Sequence, residues 1–301
     1  MGKSYVKSTK ADVYQIITDR ILDTLKQGVI PWRKSWAMVN TPVNYISKKA
    51  YRGINTFILG ASSYSSPYWA SFKQISDKGG KVKTGEHGTY VVYWKIMKIN
   101  ETNPTTGEVT EKNIPLLRYY VVFNMEQTEG INYKNPEIPE RTITTIAACE
   151  ELIEKYTDRP TVSYGGDRAC YSPSIDAIKM PTKEQFTGNE EYYSTLFHEF
   201  VHSTGHKDRL NRDGVAKSIH FGSERYSKEE LVAEMGAAFL CAFAGIENAV
   251  IDNSAAYIAN WITSLQNDPK MVVQAAGAAQ KAVDYMNAEF ITDAEEEEVM
   301  A

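Results

Sequence analysis

The sequence predicts an α+β protein: a small N-terminal α/β unit, then a unit in which a small sheet stands beside one central helix, with a helical C-terminal part. Three observations carry that prediction. The formal charge is split, residues 1–130 carrying +8 and the remainder −13 out of a total of −5, which argues for two units with different partners. Short strand-like segments are mixed with segments of helical period in both halves. One helical segment in the second half contains His198-Glu199-Phe200-Val201-His202.

With 301 residues, 43% hydrophobic and 24% charged, the chain is long enough for two soluble domains. No stretch approaches the eighteen or so consecutive apolar residues of a membrane span. Met1-Gly2-Lys3-Ser4-Tyr5 lacks the apolar core of a signal peptide, so the expectation is a cytoplasmic protein without a membrane partner. Cys149, Cys170 and Cys241 are odd in number and far apart, as expected of reduced, buried thiols.

Taken in order, Val13, Ile16, Ile17, Ile21 and Leu25 mark one face of a helix over 12–27 that ends at Gly28. Trp32, Arg33, Lys34 and Trp36 follow in a loop, and Tyr45, Lys48, Lys49, Tyr51 and Arg52 in the next. With Trp69 and Lys73 they form a set of rings and cations of the kind that stacks on unpaired bases and tracks phosphates. The same tryptophans could instead be core residues. An apolar run spans 54–59, and a short helix is expected over 69–78 before Gly79-Gly80. Strands follow at 81–83 and 89–96, with His87 in the turn between them. A Thr-, Asn- and Glu-rich loop over 100–113 is expected to interrupt a hairpin that returns at 116–124.

Two prolines and polar residues at 132–141 place a boundary, giving domains 1–135 and 140–290 with an acidic, disordered tail at 291–301. A helix over 144–156 and strands near 161–164, 169–171 and 176–180 lead to the central helix. An edge strand of that sheet could pair with an extended peptide. On a helix, His198 and His202 lie one above the other and can reach one Zn²⁺, while Glu199 leans over the open position as a general base. A catalytic zinc usually takes a third protein ligand. Glu230 is the favoured candidate, on a helix over 226–240 expected to be capped by Ser227, with Glu234 one turn on accepting a ligand histidine's second N–H. Asp208 is the rival, since His198 to Asp208 echoes the metzincin spacing with Asp for the third His. His206 and His220 are not expected to be ligands. Helices over 254–267 and 269–290 close the chain, the second alanine-rich for close packing.

The stretch Tyr171-Ser172-Pro173, Asp176, Ile178, Met180-Pro181 and Phe186, then His198 to His206, Arg209-Leu210 and Glu229 to Glu234, resembles the ArdC family of antirestriction proteins. Gly28 to Trp36, Pro42-Val43-Asn44, Tyr51 to Asn55, Trp69, Gly80, Lys83, Gly85 and Glu86 carry the resemblance through the N-terminal half. It covers almost the full chain. It implies a single-stranded-DNA-binding domain joined to a zincin-type metallopeptidase domain, on a protein carried by plasmids and other mobile elements.

The chemistry expected is zinc-dependent peptide hydrolysis with Glu199 as the base and Tyr226 or His220 as a donor to the oxyanion. Three functions fit: a mobile-element antirestriction protein that binds single-stranded DNA and cleaves an unknown protein substrate, a DNA-coating protein whose zinc is structural or vestigial, or a peptidase whose front half grips protein.

Overall fold

The computed structural model describes residues 12–33, 41–102, 109–136, 145–216, 224–248 and 255–288. In the N-terminal half, α1 (Val13–Lys26) is capped by the Asp12 carboxylate on the amide of Tyr14 and stops at Gly28, whose φ of +78° suits glycine. Helix α2 (Ile54–Gly60) is the apolar run, and its Asn55 side chain bonds both backbone groups of Val92 at 2.7 and 2.8 Å. Four strands, β1 (Val43–Asn44), β2 (Tyr68–Ser71), β4 (Thr89–Thr102) and β5 (Val109–Asn124), make a sheet in the order β1-β2-β5-β4. A smaller ribbon pairs β3 (Lys81–Val82) with β6 (Thr128–Glu129).

The helix expected over 69–78 is divided. Trp69 and Ala70 are buried in β2, and only α3 (Phe72–Asp77) is helical, started by a capping box between Ser71 and Gln74. The loop expected over 100–113 is mostly hairpin, because β4 and β5 stay in register from Thr89↔Val122 to Thr102↔Val109 and only 103–108 lie outside the described residues. Cross-strand pairing over that length outweighs the loop-like composition.

In the C-terminal half, α4 (Thr145–Lys155) precedes a sheet ordered β7 (Thr161–Tyr164), β9 (Ala177–Met180), β8 (Cys170–Ser172). The sheet lies on α5 (Asn189–Thr204) through β8 and β9. After the short α6 (Asp213–Ala216), α7 (Glu224–Ala244) and α9 (Met271–Met286) complete a helical layer against α5, with α8 (Ala255–Asn267) packed on α1. Ala275, Ala276, Ala279 and Ala282 are buried on α9, as close helix packing requires. Ser227 lies within α7 and does not cap it. Cys149 and Cys241 are buried, but Cys170 is exposed on the edge strand β8, contrary to the expectation of three buried thiols. No helix among the described residues is long and apolar enough to cross a membrane.

One core crosses the expected boundary, part of which lies outside the described residues. Ile17, Ile21, Leu25, Trp32 and Phe57 share it with Phe197, Phe200, Leu240 and Ala276, and Phe57 stacks on Phe239 with ring centroids 4.7 Å apart. The N-terminal sheet keeps smaller cores of its own, around Trp69 and Tyr93 and around Ile75 and Met125.

Two contacts set where α5 lies. A Cβ on Gly236 of α7 would stand 2.7 Å from Cγ2 of Val201, so the helices touch at a point where only glycine fits. At the far end, Arg209 donates to Asp176 at 2.7 and 2.9 Å and to the Ser203 carbonyl at 3.0 Å, fastening the β8–β9 turn to the end of α5. The Arg209 hydrogen bonds hold the Asp176 carboxyl below its usual range. A carboxyl depressed on folding stabilises the fold above its unfolded pKa of about 3.9, and that contribution is lost as pH falls through the folded value. Asp176→Asn, which keeps tolerance of the φ of +46° there, is expected to cost about 1 kcal/mol at pH 7 in urea unfolding and progressively less below pH ~4. Gly236→Val is expected to destabilise by about 1–3 kcal/mol and to weaken metal binding, read by urea unfolding and metal titration on one sample.

Candidate metal centre

Three donor atoms converge at the α5–α7 crossing. Nε2 of His198 and Nε2 of His202 are 3.1 Å apart, Glu230 Oε2 lies 3.5 Å from the first and Glu230 Oε1 3.6 Å from the second. One donor atom from each residue lies within 4.8 Å of the others, and tetrahedral ligands at about 2.1 Å from zinc stand about 3.4 Å from one another, so the set is close enough to share one ion. Two imidazoles and a carboxylate turned toward one point favour a positive charge between them, which a bound cation supplies or, without one, a proton on His202. His198, His202 and Glu230 are 16, 14 and 28% exposed, which leaves the face open to a water or substrate. Glu199 is buried beside His198 and makes no side-chain hydrogen bond among the described residues.

Helix α5 reaches this geometry because Tyr192, Tyr193, Leu196, Phe197, Phe200 and Val201 bury its other faces. Its open C-terminal end is closed by Arg212, which donates to the Val201 carbonyl and to Thr204 Oγ1, both at 2.7 Å. Arg212 also clamps Glu229, Nη2 to Oε1 at 2.6 Å and Nε to Oε2 at 3.0 Å, and Glu229 Oε1 lies 3.4 Å from Nδ1 of His202. Gly214 makes room for this clamp, since a Cβ there would meet Glu229 at 2.8 Å. Burial opposes the charge on Glu229, but Arg212 and His202 hold its pKa below the usual range. Burial likewise lowers the His202 pKa, yet the Glu229 hydrogen bond and the Glu230 and Glu199 charges together raise it to about 9.

It is Glu229, not Glu234, that lies within reach of a hydrogen bond to His202. Glu234 accepts from Trp32 Nε1 at 2.9 Å and from the Tyr257 hydroxyl, and burial raises its pKa to about 7 against the Tyr257 hydrogen bond, the charge of His198 and the Trp32 hydrogen bond. Four residues along α7 carry it about 6 Å beyond Glu230, past the imidazoles and toward α8. Nδ1 of His198 is buried with no hydrogen-bond partner among the described residues. Asp208 is not in the donor set; it is exposed and lies 3.5 Å from Nδ1 of the buried His206. The Tyr226 side chain and all of His220 lie outside the described residues.

The expected DNA-contacting residues separate into two groups. Trp32, Tyr51 and Trp69 are buried, so they cannot stack on bases, and Arg52 is paired with Asp284 of α9. Trp32 meets Trp261 edge-on, so its aromatic ring and its N–H are both used inside the protein. Arg33 is half-buried. Lys48 and Lys73 are exposed, Tyr45 and Lys49 half-buried, and Lys34 and Trp36 fall outside the described residues. Missed in the sequence were Arg212 and Glu229, for which no spacing rule exists, and the exposed Tyr90, Tyr119 and Val121 on one face of the β4–β5 hairpin, which strand alternation marks.

Comparison with known proteins gives the family. A profile described as the N-terminal domain of anti-restriction factor ArdC matches residues 11–123, and one described as a zincin-like metallopeptidase matches 147–278. The crystal structure of the antirestriction protein ArdC from plasmid R388, metal-free, superposes with a TM-score of 0.69 at 35% identity, covering 93% of this chain and all of that one. The chain belongs to the ArdC antirestriction family. The Mn(II)-bound R388 structure matches with a TM-score of 0.70 at 34% identity over 92% of this chain and 97% of that one. Protein y4eC of Sinorhizobium fredii is 32% identical over 97% of this chain and 96% of its own length. A DNA primase TraC of Escherichia coli is 35% identical over 92% of this chain, which spans only 27% of that longer protein.

The Arg212–Glu229–His202 relay predicts how the metal is lost. Glu229→Gln is expected to weaken divalent-metal affinity about 10–100-fold with the fold retained. Competition with a chromophoric chelator reads the affinity, and circular dichroism the fold.

Proposed function

We propose that this ArdC-family chain is a mobile-element antirestriction protein that binds single-stranded DNA and hydrolyses peptide bonds at a zinc site held by His198, His202 and Glu230. The observation that carries the reading is that His198, His202 and Glu230 bring three donor atoms within 4.8 Å of one another, with Glu199 one residue from the first histidine. Zinc is favoured by two imidazoles and one carboxylate; the Mn(II)-bound relative supports a divalent cation of this size.

A bound cation would supply Lewis-acid chemistry, acidifying a water and polarising a carbonyl. Glu199 would take a proton from the attacking water and return it to the leaving amine. Glu229, fixed by Arg212, holds His202 with Nε2 toward the site and Nδ1 protonated. Tyr226 or His220 supplies the hydrogen bond to the developing oxyanion. The edge strand β8, beside α5, supports docking of an extended peptide, the substrate being an unidentified protein. Tyr45, Lys48, Lys49 and Lys73 provide the ring and cations for single-stranded DNA, and the site of action is the cytoplasm, where restriction and transferred DNA meet.

Glu199→Gln tests this directly. Wild-type metal content with proteolysis of an unfolded protein substrate reduced by about 10²–10⁴ is the expected result. Undiminished cleavage sinks the assignment of the base.

A further inference from the structure

Lys48 is held in a turn that has its own foundation. Asn44, 1% exposed, accepts from the amides of Ile46 and Ser47 at 2.9 and 3.0 Å. Its side-chain nitrogen reaches the Tyr51 hydroxyl at 3.3 Å and Gln74 Oε1 at 3.2 Å, while its carbonyl accepts from Lys48 N at 2.9 Å. The turn therefore grows out of the core of the sheet unit. Lys48 sits there at a φ of +60°, a left-handed conformation that is unfavourable for a non-glycine residue and persists only where its surroundings impose it. In that conformation its ammonium lies 4.0 Å from the Tyr45 ring centroid and 4.6 Å from that of Tyr68. Tyr45 itself is braced edge-on by Tyr68 and Tyr133.

A second cation comes from the opposite wall. Lys78 ends α3, immediately before Gly79-Gly80, and a Cβ on Gly80 would stand 2.4 Å from Ile131, so this turn is pressed against residues 130–132. Tyr45, Lys48, Lys78 and the segment Gly130 to Asn132 line an open notch of about 370 Å³. Partial burial and the charge of Lys78 both lower the Lys48 pKa. Neither lysine has a carboxylate partner among the described residues. Nearby acids are engaged elsewhere, Glu129 by Lys81 at 3.0 Å and Glu126 by the amides of Ser65 and Ser66 at 2.8 and 2.7 Å. Two like charges thus share a preformed concavity, one of them in an unfavourable backbone conformation. An anion placed between them removes the repulsion.

We infer that the Lys48–Lys78 notch is a phosphate-binding site that takes a backbone phosphate of single-stranded DNA, with the tyrosine cluster as its floor. This rests on the proposed DNA binding and gives that activity an anchoring site that is independent of the buried tryptophans. The backbone charge of the strand, not base identity, is what the notch reads.

The experiment is a salt titration of fluorescent oligo(dT) binding to full-length protein. For a single strand, removing one lysine that neutralises a phosphate lowers the slope of log Kobs against log salt by about 0.7. K48M/K78M is expected to lower it by about 1.4 and weaken binding about tenfold near 0.15 M salt, with K78M alone giving half the slope change. The control K155M/K207M changes the net charge equally on distant surfaces and is expected to bind like wild type. K48G relieves the left-handed backbone, so it is expected to weaken binding with an unfolding midpoint equal to or above wild type, which separates impaired recognition from a damaged fold. Unchanged slope and affinity in K48M/K78M, while wild type binds, overturns the notch and leaves the DNA-binding reading standing. An equal weakening in K155M/K207M also overturns it. Wild type that fails to bind oligo(dT) at any salt overturns both.

Discussion

The close crossing of α5 and α7 is the constraint on which the rest of the C-terminal half depends. Gly236 against Val201 brings the axes together, and everything that makes the metal centre is measured from that contact. His198 and His202 project from one helix and Glu230 from the other, so the donor triangle exists only while the separation and rotation of the two helices are held. Arg212 holds them. It closes the open end of α5 and, through the same guanidinium, carries the Glu229 carboxylate of α7 to within 3.4 Å of His202. A bidentate arginine suits this position because its planar fork fixes the carboxylate in direction as well as distance.

The N-terminal half is joined to this centre through the core. Trp32 donates to Glu234 one turn beyond Glu230, Arg52 pairs with Asp284, and Phe57 stacks on Phe239 of α7. The first two contacts use an aromatic and a cationic residue that the sequence suggests for nucleic acid. On the sheet unit, by contrast, Lys48, Lys73 and Lys78 are exposed.

How much of this was legible in the sequence depends on the range of each signal. The placement of His198, Glu199 and His202 could be read because a helical turn fixes their geometry within five residues, and that of Glu230 because a long helical run with early acidic residues marks its helix. Choosing Glu229 over Glu234 as the residue beside His202 required the rotation of α7 about its axis, which tertiary packing sets and periodicity does not. Trp32 was ambiguous for a related reason: its partner is 202 residues away, and rings among cations look alike whether they stack on bases or on a core. The long hairpin was shortened in the reading because composition describes single residues, whereas pairing of β4 with β5 is a property of two strands. Lys78 and Arg212 carry no local signature at all, and each gains its meaning from a segment distant in the chain.

The central claim is that one cation is held between α5 and α7 by His198, His202 and Glu230. Anomalous diffraction from zinc-soaked crystals, collected on both sides of the zinc edge, tests it most directly. A single strong peak about 2.0–2.2 Å from Nε2 of both histidines and from a Glu230 oxygen is the predicted result. A peak beside Asp208 and His206 instead, or none at the crossing under zinc-replete conditions, would contradict it.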